Sequence, residues 1–564
     1  MDRELICGLL ATYVGQYGLC KRYDFCSPKI PFDVILDSLC RLSQQTWAHL
    51  LHVMDQEAIE LIMQRICQVL PPASKLIQAK AKADFREKEN LRLDKKSSGR
   101  CRDSELSVDS LDEESADILS CQDRTKPKTS SSKIVSFQPR IVIGLVGHSK
   151  HGKTTVRNGL SGLQVAPATT HEIGFDNVAI YMCENEYCPS STRYIMQGYQ
   201  DVDSDFCGHE KCKMKLMRRL SLIDCPGHPN FLSTTLCAVG FMDAAILLIS
   251  AKESCGQPQT SEHLVALEIK PVNDIIIVQS KTDSLSKKKK EKHFQDIKEY
   301  IKDTVAKDAV IVEKDGNYID MVCKTIFENI QNPPRSTRSP PVMIIVRLNG
   351  GNSVHKSSDV KRQFMIHGVL LKGILAPNQL MEIRPGIVFQ EDGMLKHRPL
   401  IVETGHIYAD NIKLERALPG GIIKLCLSTD STESVDSLSG HFLGEKGKLP
   451  NVFTAFRISY SLLKYTLGLG KKVLKELRKN EEELSAGEML LIVIGAMSTG
   501  AIVLVARKNK QADLHLTFPV CAGKGQTIML CRRVGLSWRL AGRASLSSGV
   551  TNQDKGRNKK KVRL

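Results

Sequence analysis

Ile141-Val-Ile-Gly-Leu-Val146 runs directly into Gly147-His-Ser-Lys-His-Gly152-Lys153-Thr154, and this stretch decides the fold. The first six residues are nearly all apolar, as in a parallel strand buried on both faces. The next eight match GxxxxGK[ST], which predicts strand, glycine-rich loop and helix in that order. In such a loop, backbone N–H groups wrap the phosphates of a nucleotide. Here they would come from Gly147, His148, Ser149, Lys150, His151 and Gly152, then from Lys153, Thr154 and Thr155 at the helix start. Lys153 would reach the β- and γ-phosphates, and the Thr154 hydroxyl would ligate Mg²⁺.

Further short apolar runs follow at 220–223, 244–250 and 275–279, with helical stretches between them at 261–269 and 294–305. Strands alternating with helices predict a doubly wound α/β domain. Asp224-Cys-Pro-Gly227-His228 ends the 220–223 strand, 71 residues after Lys153. A carboxylate at Asp224 can hold Mg²⁺ through water. The N–H of Gly227 can meet a γ-phosphate and sense whether it is present. His228 is the candidate for orienting an attacking water. Ser280-Lys281-Thr282-Asp283 follows the 275–279 strand and looks like the guanine-reading NKxD element. The Asp283 carboxylate can accept from N1 and N2 of guanine, which adenine cannot supply, so the order of motifs points to GTP.

Composition narrows the class around this core. The chain has 564 residues and a net charge of +17, enough for about three to four domains and suited to a polyanion partner. No run reaches the roughly 18 apolar residues of a spanning helix. Eighteen cysteines are too few for a disulfide scaffold and read as cytosolic thiols. Leu5 to Val14 is apolar like a leader, but Asp2 and Glu4 spoil the basic start a leader needs. The expected location is cytoplasmic.

The organisation reads as six segments. Residues 1–93 form a helical N-terminal extension, in which Trp47, Leu50, Leu51, Met54, Ala58, Leu61 and Ile62 share one helix face. Residues 94–136, with eleven serines, form a linker. The nucleotide domain spans 137–334. Short strands at 342–347, 381–384 and 422–427, with turns expected at Pro385-Gly386 and Pro419-Gly420-Gly421, suggest two β-barrels over 340–446 and 447–549. Residues 550–564 are a basic tail. Lys287 to Lys290 with Lys292 form a basic run, read as a solvated face, with RNA contact as the sharper alternative.

With these motifs in place, the chain resembles the translational GTPases of the elongation factor Tu superfamily. Within them it resembles the gamma subunits of eukaryotic and archaeal translation initiation factor two. The narrower match rests on Glu253-Ser-Cys-Gly-Gln-Pro-Gln-Thr-Ser-Glu-His263, Met242-Asp-Ala-Ala-Ile-Leu-Leu-Ile249, Ile383-Arg-Pro-Gly-Ile387, Ala417-Leu-Pro-Gly-Gly421, Ser498-Thr-Gly500, and Arg532-Arg-Val534 with Trp538-Arg-Leu540. It runs from about Ile141 to Gly549 and leaves the first 136 residues uncovered. The resemblance implies GTP or GDP with Mg²⁺, GTP hydrolysis, and GTP-dependent binding of initiator methionyl-tRNA. The implied partners are the factor's alpha and beta subunits, the small ribosomal subunit, and activating and exchange factors, with no membrane. Thr170, in Ala168-Thr-Thr170-His-Glu-Ile-Gly174, aligns with the Mg²⁺-sensing threonine of switch I.

Three positions depart from the family pattern. Ser280 replaces an asparagine that braces both the base and the phosphate loop. Val312-Glu313 replaces Ser-Ala beside guanine O6, a contact made by a backbone N–H. Lys150 replaces a small or acidic residue, and its ammonium either sits near the β–γ bridge or points to solvent. The first two departures motivate a rival reading, a tRNA-binding scaffold with little turnover. A second rival is another delivery factor, such as a selenocysteine-specific one. Cys183-x₄-Cys188 and Cys207-x₄-Cys212, eighteen residues apart, could enclose a tetrahedral Zn²⁺ as thiolates or remain four free thiols. The family often carries a zinc knuckle at this place.

Overall fold

The computed structural model describes residues 138–162, 173–185, 187, 193–198, 212–314, 318–349, 362–391, 394–431, 438–463, 483–534 and 537–551. The expected helical extension, the linker and nearly all of the basic tail lie outside the described residues.

The first domain is a seven-stranded mixed sheet. Its strands are β1 (Val142–Gly147), β2 (Gly174–Cys183), β3 (Tyr194–Gly198), β4 (Met214–Asp224), β5 (Ala244–Ser250), β6 (Asp274–Ser280) and β7 (Val310–Glu313). They lie in the order β3-β2-β4-β1-β5-β6-β7. β4, β1, β5, β6 and β7 run parallel, while β2 pairs antiparallel with both β4 and β3. Successive side chains of a strand point to opposite faces, and here both faces are apolar. Val142, Val146, Leu247, Ile249 and Ile277 pack with helices α2 (Leu232–Val239), α3 (Pro258–Ile269) and α4 (Lys287–Ile301). Ile143, Leu145, Ile246, Leu248 and Val278 pack with α1 (Lys153–Ser161) and α5 (Tyr318–Asn329). This alternation within all-apolar strands is what a doubly covered sheet requires.

Two barrels follow. The first closes through β8 (Val342–Asn349), β9 (Arg362–Lys372), β10 (Leu380–Glu391), β11 (Met394–Ala409), β13 (Ile422–Thr429) and β14 (Phe442–Glu445), with β12 (Ile412–Leu414) attached to β11. β10 pairs with both β11 and β14, which completes the ring. The second is a closed six-stranded barrel of β15 (Asn451–Leu462), β16 (Met489–Ile494), β17 (Met497–Arg507), β18 (Gln511–Ala522), β19 (Thr527–Val534) and β20 (Ser537–Val550).

Two local expectations are corrected. Pro385-Gly386 is not a turn between strands but an irregularity inside β10, where the register shifts between Ile383 and Ile387. Proline offers no ladder N–H, and Gly386 has φ +82° with its would-be Cβ 2.3 Å from the Arg398 carbonyl oxygen. The strand therefore bulges there and continues to Glu391. The helix expected at 294–305 instead spans Lys287–Ile301. The basic run forms its first turns, with Lys287, Lys288 and Lys289 exposed.

The barrels hold the first domain by different chemistry. The first barrel uses hydrogen bonds, one of them from the Arg347 guanidinium to the Ile173 carbonyl at 3.0 Å. The Ser221 hydroxyl donates to Asn177 Oδ1 (2.6 Å) and accepts the Ile422 N–H (2.8 Å), and Asn177 Nδ2 donates to the Ile422 carbonyl (3.1 Å). The second barrel uses an ion pair. Arg539 Nη1 lies 3.0 Å from Glu262 Oε2, and the Leu540 N–H donates to Oε1 at 3.3 Å. Glu262 has no exposed surface, and its burial pushes the carboxyl up to about 7 against the pull of Arg539. Removing one partner of a buried pair leaves the other charge uncompensated. Glu262→Ala is therefore expected to lower stability by about 3 to 5 kcal/mol, read as a lower urea midpoint. An unchanged midpoint would show that this pair does not join α3 to the second barrel.

Candidate nucleotide site

The site forms where the parallel strands end. In open α/β sheets, ligands lie beyond the carboxyl ends of the strands. β1 ends at Gly147, β4 at Asp224, β6 at Ser280 and β7 at Glu313, so the sheet brings four separate sequence motifs to one edge.

The phosphate loop turns sharply from β1 into α1. Gly147 (φ +137°), Lys150 (φ +62°) and Gly152 (φ +90°) take left-handed backbone angles. Gly152 is the N-cap of α1, which has no side-chain cap, so the first N–H groups of the helix make an anion-binding end. Lys153 is buried, and its Nζ donates to the carbonyls of Gly147 (2.9 Å) and His148 (2.8 Å). Burial pushes this ammonium down to about 8. Ser149 stands half-buried, and Lys150 is exposed at the loop tip.

Thr154 Oγ1 donates to Asp224 Oδ2 at 2.9 Å. Asp224 has no exposed surface, and its carboxyl is raised by that burial, an effect opposed by the Thr154 bond. Its other oxygen, Oδ1, has no hydrogen-bond partner among the described residues. A hydroxyl and a carboxylate with an unmet buried oxygen form a hard donor set that suits Mg²⁺. The Mg²⁺-sensing candidate Thr170 lies outside the described residues.

The Asp224–His228 turn passes close over the loop. A Cβ added to Gly227 would lie 2.1 Å from Lys153 Nζ and 2.7 Å from the Gly147 carbonyl oxygen, so only glycine fits. Thr235 Oγ1 on α2 donates to the Pro226 carbonyl at 2.7 Å and holds the turn. The Asn230 N–H donates to His228 Nδ1 at 3.3 Å, which orients the imidazole.

The candidate base-reading elements meet beside the loop. Lys281 has φ +59°, and Asp283 is exposed. The buried Thr282 donates its hydroxyl to the Lys314 carbonyl at 3.0 Å, tying this segment to the end of β7. Val312 is buried there, opposite Val278. The Glu313 carboxylate forms an ion pair with Lys290, 3.1 Å away. One lysine of the basic run therefore balances the acid that replaces the usual small residue. Ser280 Oγ donates to the His151 carbonyl of the phosphate loop at 2.7 Å.

Two residues under the loop, His263 and Glu253, carried no sequence argument beyond family likeness. His263 Nδ1 accepts the Gly147 N–H at 3.0 Å, and burial, which pushes its imidazole down to about 3, keeps that nitrogen an acceptor. His151 is buried, with Nδ1 3.0 Å from the Leu248 carbonyl oxygen and Nε2 3.3 Å from Glu253 Oε2. A histidine on a helix and a loop glutamate have no local signature, and only their place in the 253–263 segment marked them.

Of the four candidate zinc ligands, Cys188 and Cys207 lie outside the described residues. Cys183 ends β2 and Cys212 precedes β4, and both belong to one small apolar cluster with Tyr181 and Met214. Among the described residues, no group of three metal-ligating side chains occurs.

The family model for the elongation factor Tu GTP binding domain matches residues 138–332, and that for the C-terminal part of initiation factor eIF2 gamma matches 454–546. Eukaryotic translation initiation factor 2 subunit 3 of Drosophila melanogaster is 35% identical over 447 residues, 77% of this chain and 94% of the relative. The subunit gamma of Schizosaccharomyces pombe is 36% identical over 432 residues, 74% of this chain and 96% of that one. The elongation factor SelB of Methanococcus maripaludis, solved with the GTP analogue GppNHp, shares the fold. Its TM-score is 0.53 at 17% identity, covering 74% of this chain and 81% of that one. On the extent of these matches, the chain belongs to the gamma-subunit family of eukaryotic translation initiation factor 2, whose first domain is a translational GTPase.

Proposed function

We propose that the chain binds initiator methionyl-tRNA in its GTP form, carries it to the small ribosomal subunit in the cytoplasm, and releases it after hydrolysis. The observation that carries this reading is the convergence of the phosphate loop, the Thr154–Asp224 pair, the Gly227 turn and the Ser280–Asp283 segment at one sheet edge. GTP and GDP with Mg²⁺ follow from the domain type, and the bound metal would neutralise charge between the β- and γ-phosphates. Its protein ligands would be Thr154 and Asp224, joined by Thr170.

Each side chain has a task in this reading. Lys153 exchanges its carbonyl partners for phosphate oxygens. The α1 N-terminus and the loop from Gly147 to Gly152 donate N–H groups to the phosphates. Gly227 sits where its turn responds to a third phosphate, and His228 holds the attacking water. Lys281 and Asp283 hold the base, with the Val312 N–H beside it. Hydrolysis then frees switch I and the Gly227 turn, the kind of order-to-disorder step that ends binding of a partner. The factor's other two subunits, ribosomal activating proteins and exchange factors complete the cycle.

The rival reading, a scaffold without turnover, drew on Ser280 and Val312-Glu313. Ser280 still holds the phosphate loop, and Glu313 is paired with Lys290, so neither position speaks for it.

Titration of the full chain with GTP and GDP in Mg²⁺ is the first test, and absence of binding would end the reading. Asp283→Asn is expected to move preference from guanine to xanthine nucleotides, because an amide pairs with the carbonyl at position 2. Equal preference before and after would mean that Asp283 does not face the base. His228→Ala is expected to keep GTP affinity and to slow ribosome-stimulated hydrolysis by roughly 10² to 10⁴; turnover equal to the parent's would remove His228 from the mechanism. One zinc per chain on Cys183, Cys188, Cys207 and Cys212 is expected on metal analysis of protein never exposed to chelator. A stoichiometry near zero would leave four thiols.

A further inference from the structure

Ser280 is the last residue of β6, 1% exposed, in the place where related GTP sites carry asparagine. Its hydroxyl lies 2.7 Å from the carbonyl oxygen of His151 and 3.4 Å from that of Ile249. Both partners are acceptors only, so the hydroxyl must be the donor in each contact. A serine hydroxyl has one proton, whereas an asparagine amide has two N–H donors and a carbonyl besides. The single proton here is committed to the phosphate loop. Purine N7 is an acceptor and needs a donor. An asparagine can give one N–H to the loop and the other to N7; a serine so engaged cannot.

We propose that Ser280 is a positioning residue that separates two tasks an asparagine performs together: it holds the phosphate loop through the His151 carbonyl and leaves purine N7 unread. This rests on the guanine-nucleotide reading of the site and deepens it. Base selection then falls on the N1 and N2 edge, through the exposed Asp283 carboxylate, and on the O6 side, through the backbone at Val312. Thr282 carries the stiffness of the segment by its bond to the Lys314 carbonyl. The Ser280 bond acts at the other end, on the loop that receives the phosphates. Its buried position means that losing the hydroxyl leaves the His151 carbonyl without this donor, and that loss is felt in the loop rather than at the base.

The test compares GDP with 7-deaza-GDP, in which a C–H replaces N7, on the full-length chain with Mg²⁺. The parent is expected to bind the two within about twofold. Ser280→Asn is expected to prefer GDP by roughly tenfold, the worth of one hydrogen bond at the upper end of its usual range. Ser280→Ala is expected to weaken both nucleotides by the same factor, about three- to tenfold. In the nucleotide-free protein, Ser280→Ala is also expected to speed amide hydrogen exchange over residues 147–155, while Ser280→Asn leaves that exchange near the parent's. A parent that prefers GDP over 7-deaza-GDP by tenfold or more overturns the proposal without recourse to any variant. So does a Ser280→Ala chain whose loop exchange matches the parent's. If neither nucleotide binds the parent, the guanine reading of the site falls and this inference with it. If GDP binds and the deaza analogue does not, only this inference falls.

Discussion

Burying the Lys153 ammonium requires the surrounding loop to supply acceptors, and the carbonyls of Gly147 and His148 do so. The rest of the site depends on that requirement. A loop curled tightly enough to present two carbonyls inward presents N–H groups elsewhere, and it needs the left-handed angles at Gly147, Lys150 and Gly152. It also needs support from beneath, because a buried backbone N–H left unpaired is costly. His263 meets the Gly147 N–H, and Ser280 meets the His151 carbonyl. The close pass of Gly227 over the same ammonium couples β4 to the loop. A change of partner at Lys153 therefore bears on the Gly227 turn and on His228 beyond it.

The same strands that place the site also anchor the barrels. Ser221 lies on β4, three residues before Asp224, and joins Asn177 to Ile422 of the first barrel. Glu262 neighbours His263 on α3. One of the two carries the charge contact to Arg539 of the second barrel and the other supports the loop. The apolar cluster on this face continues from Leu236 and Leu264 into Leu491, Met529 and Leu540. Packed interiors transmit displacement because they have few voids, so movement of α3 reaches both the phosphate loop and the second barrel. α3 thus touches both the phosphate loop, through His263, and the second barrel, through Glu262.

Two of the three departures from the family pattern meet partners within the structure. The acid at Glu313 comes with Lys290 on α4. In place of the asparagine stands a hydroxyl that donates to the His151 carbonyl. Both partners are residues distant in sequence, which is why each departure looks like a defect when the chain is read alone.

The chain read alone was enough for the strand-loop-helix of the phosphate loop, the α/β alternation and the β-rich second half. These follow from local properties: apolar runs, glycine spacing and turn residues. Asp224 and Ser280 end their strands, Gly227 lies three residues past one, and Lys153 and Thr154 lie six and seven residues past another; all were legible because they belong to short motifs that follow a strand and can be recognised without knowing what lies opposite. β2 and β3 were not picked out: β3 is a five-residue edge strand interrupted by Gln197, and the apolar run of β2, Val178 to Cys183, follows polar Asp176 and Asn177 with no motif at its end. Pro385-Gly386 was read as a turn, since proline and glycine interrupt a ladder whether the strand ends or bulges, and only the partner strand β11 distinguishes the two. The supports of the loop, His263 and Glu253, and the balance of Glu313 by Lys290 were decided by tertiary structure alone. A hydrogen bond or ion pair across 23 residues, or across 116, leaves no periodicity in the chain, and it exists only because the sheet brings its strand ends to one edge.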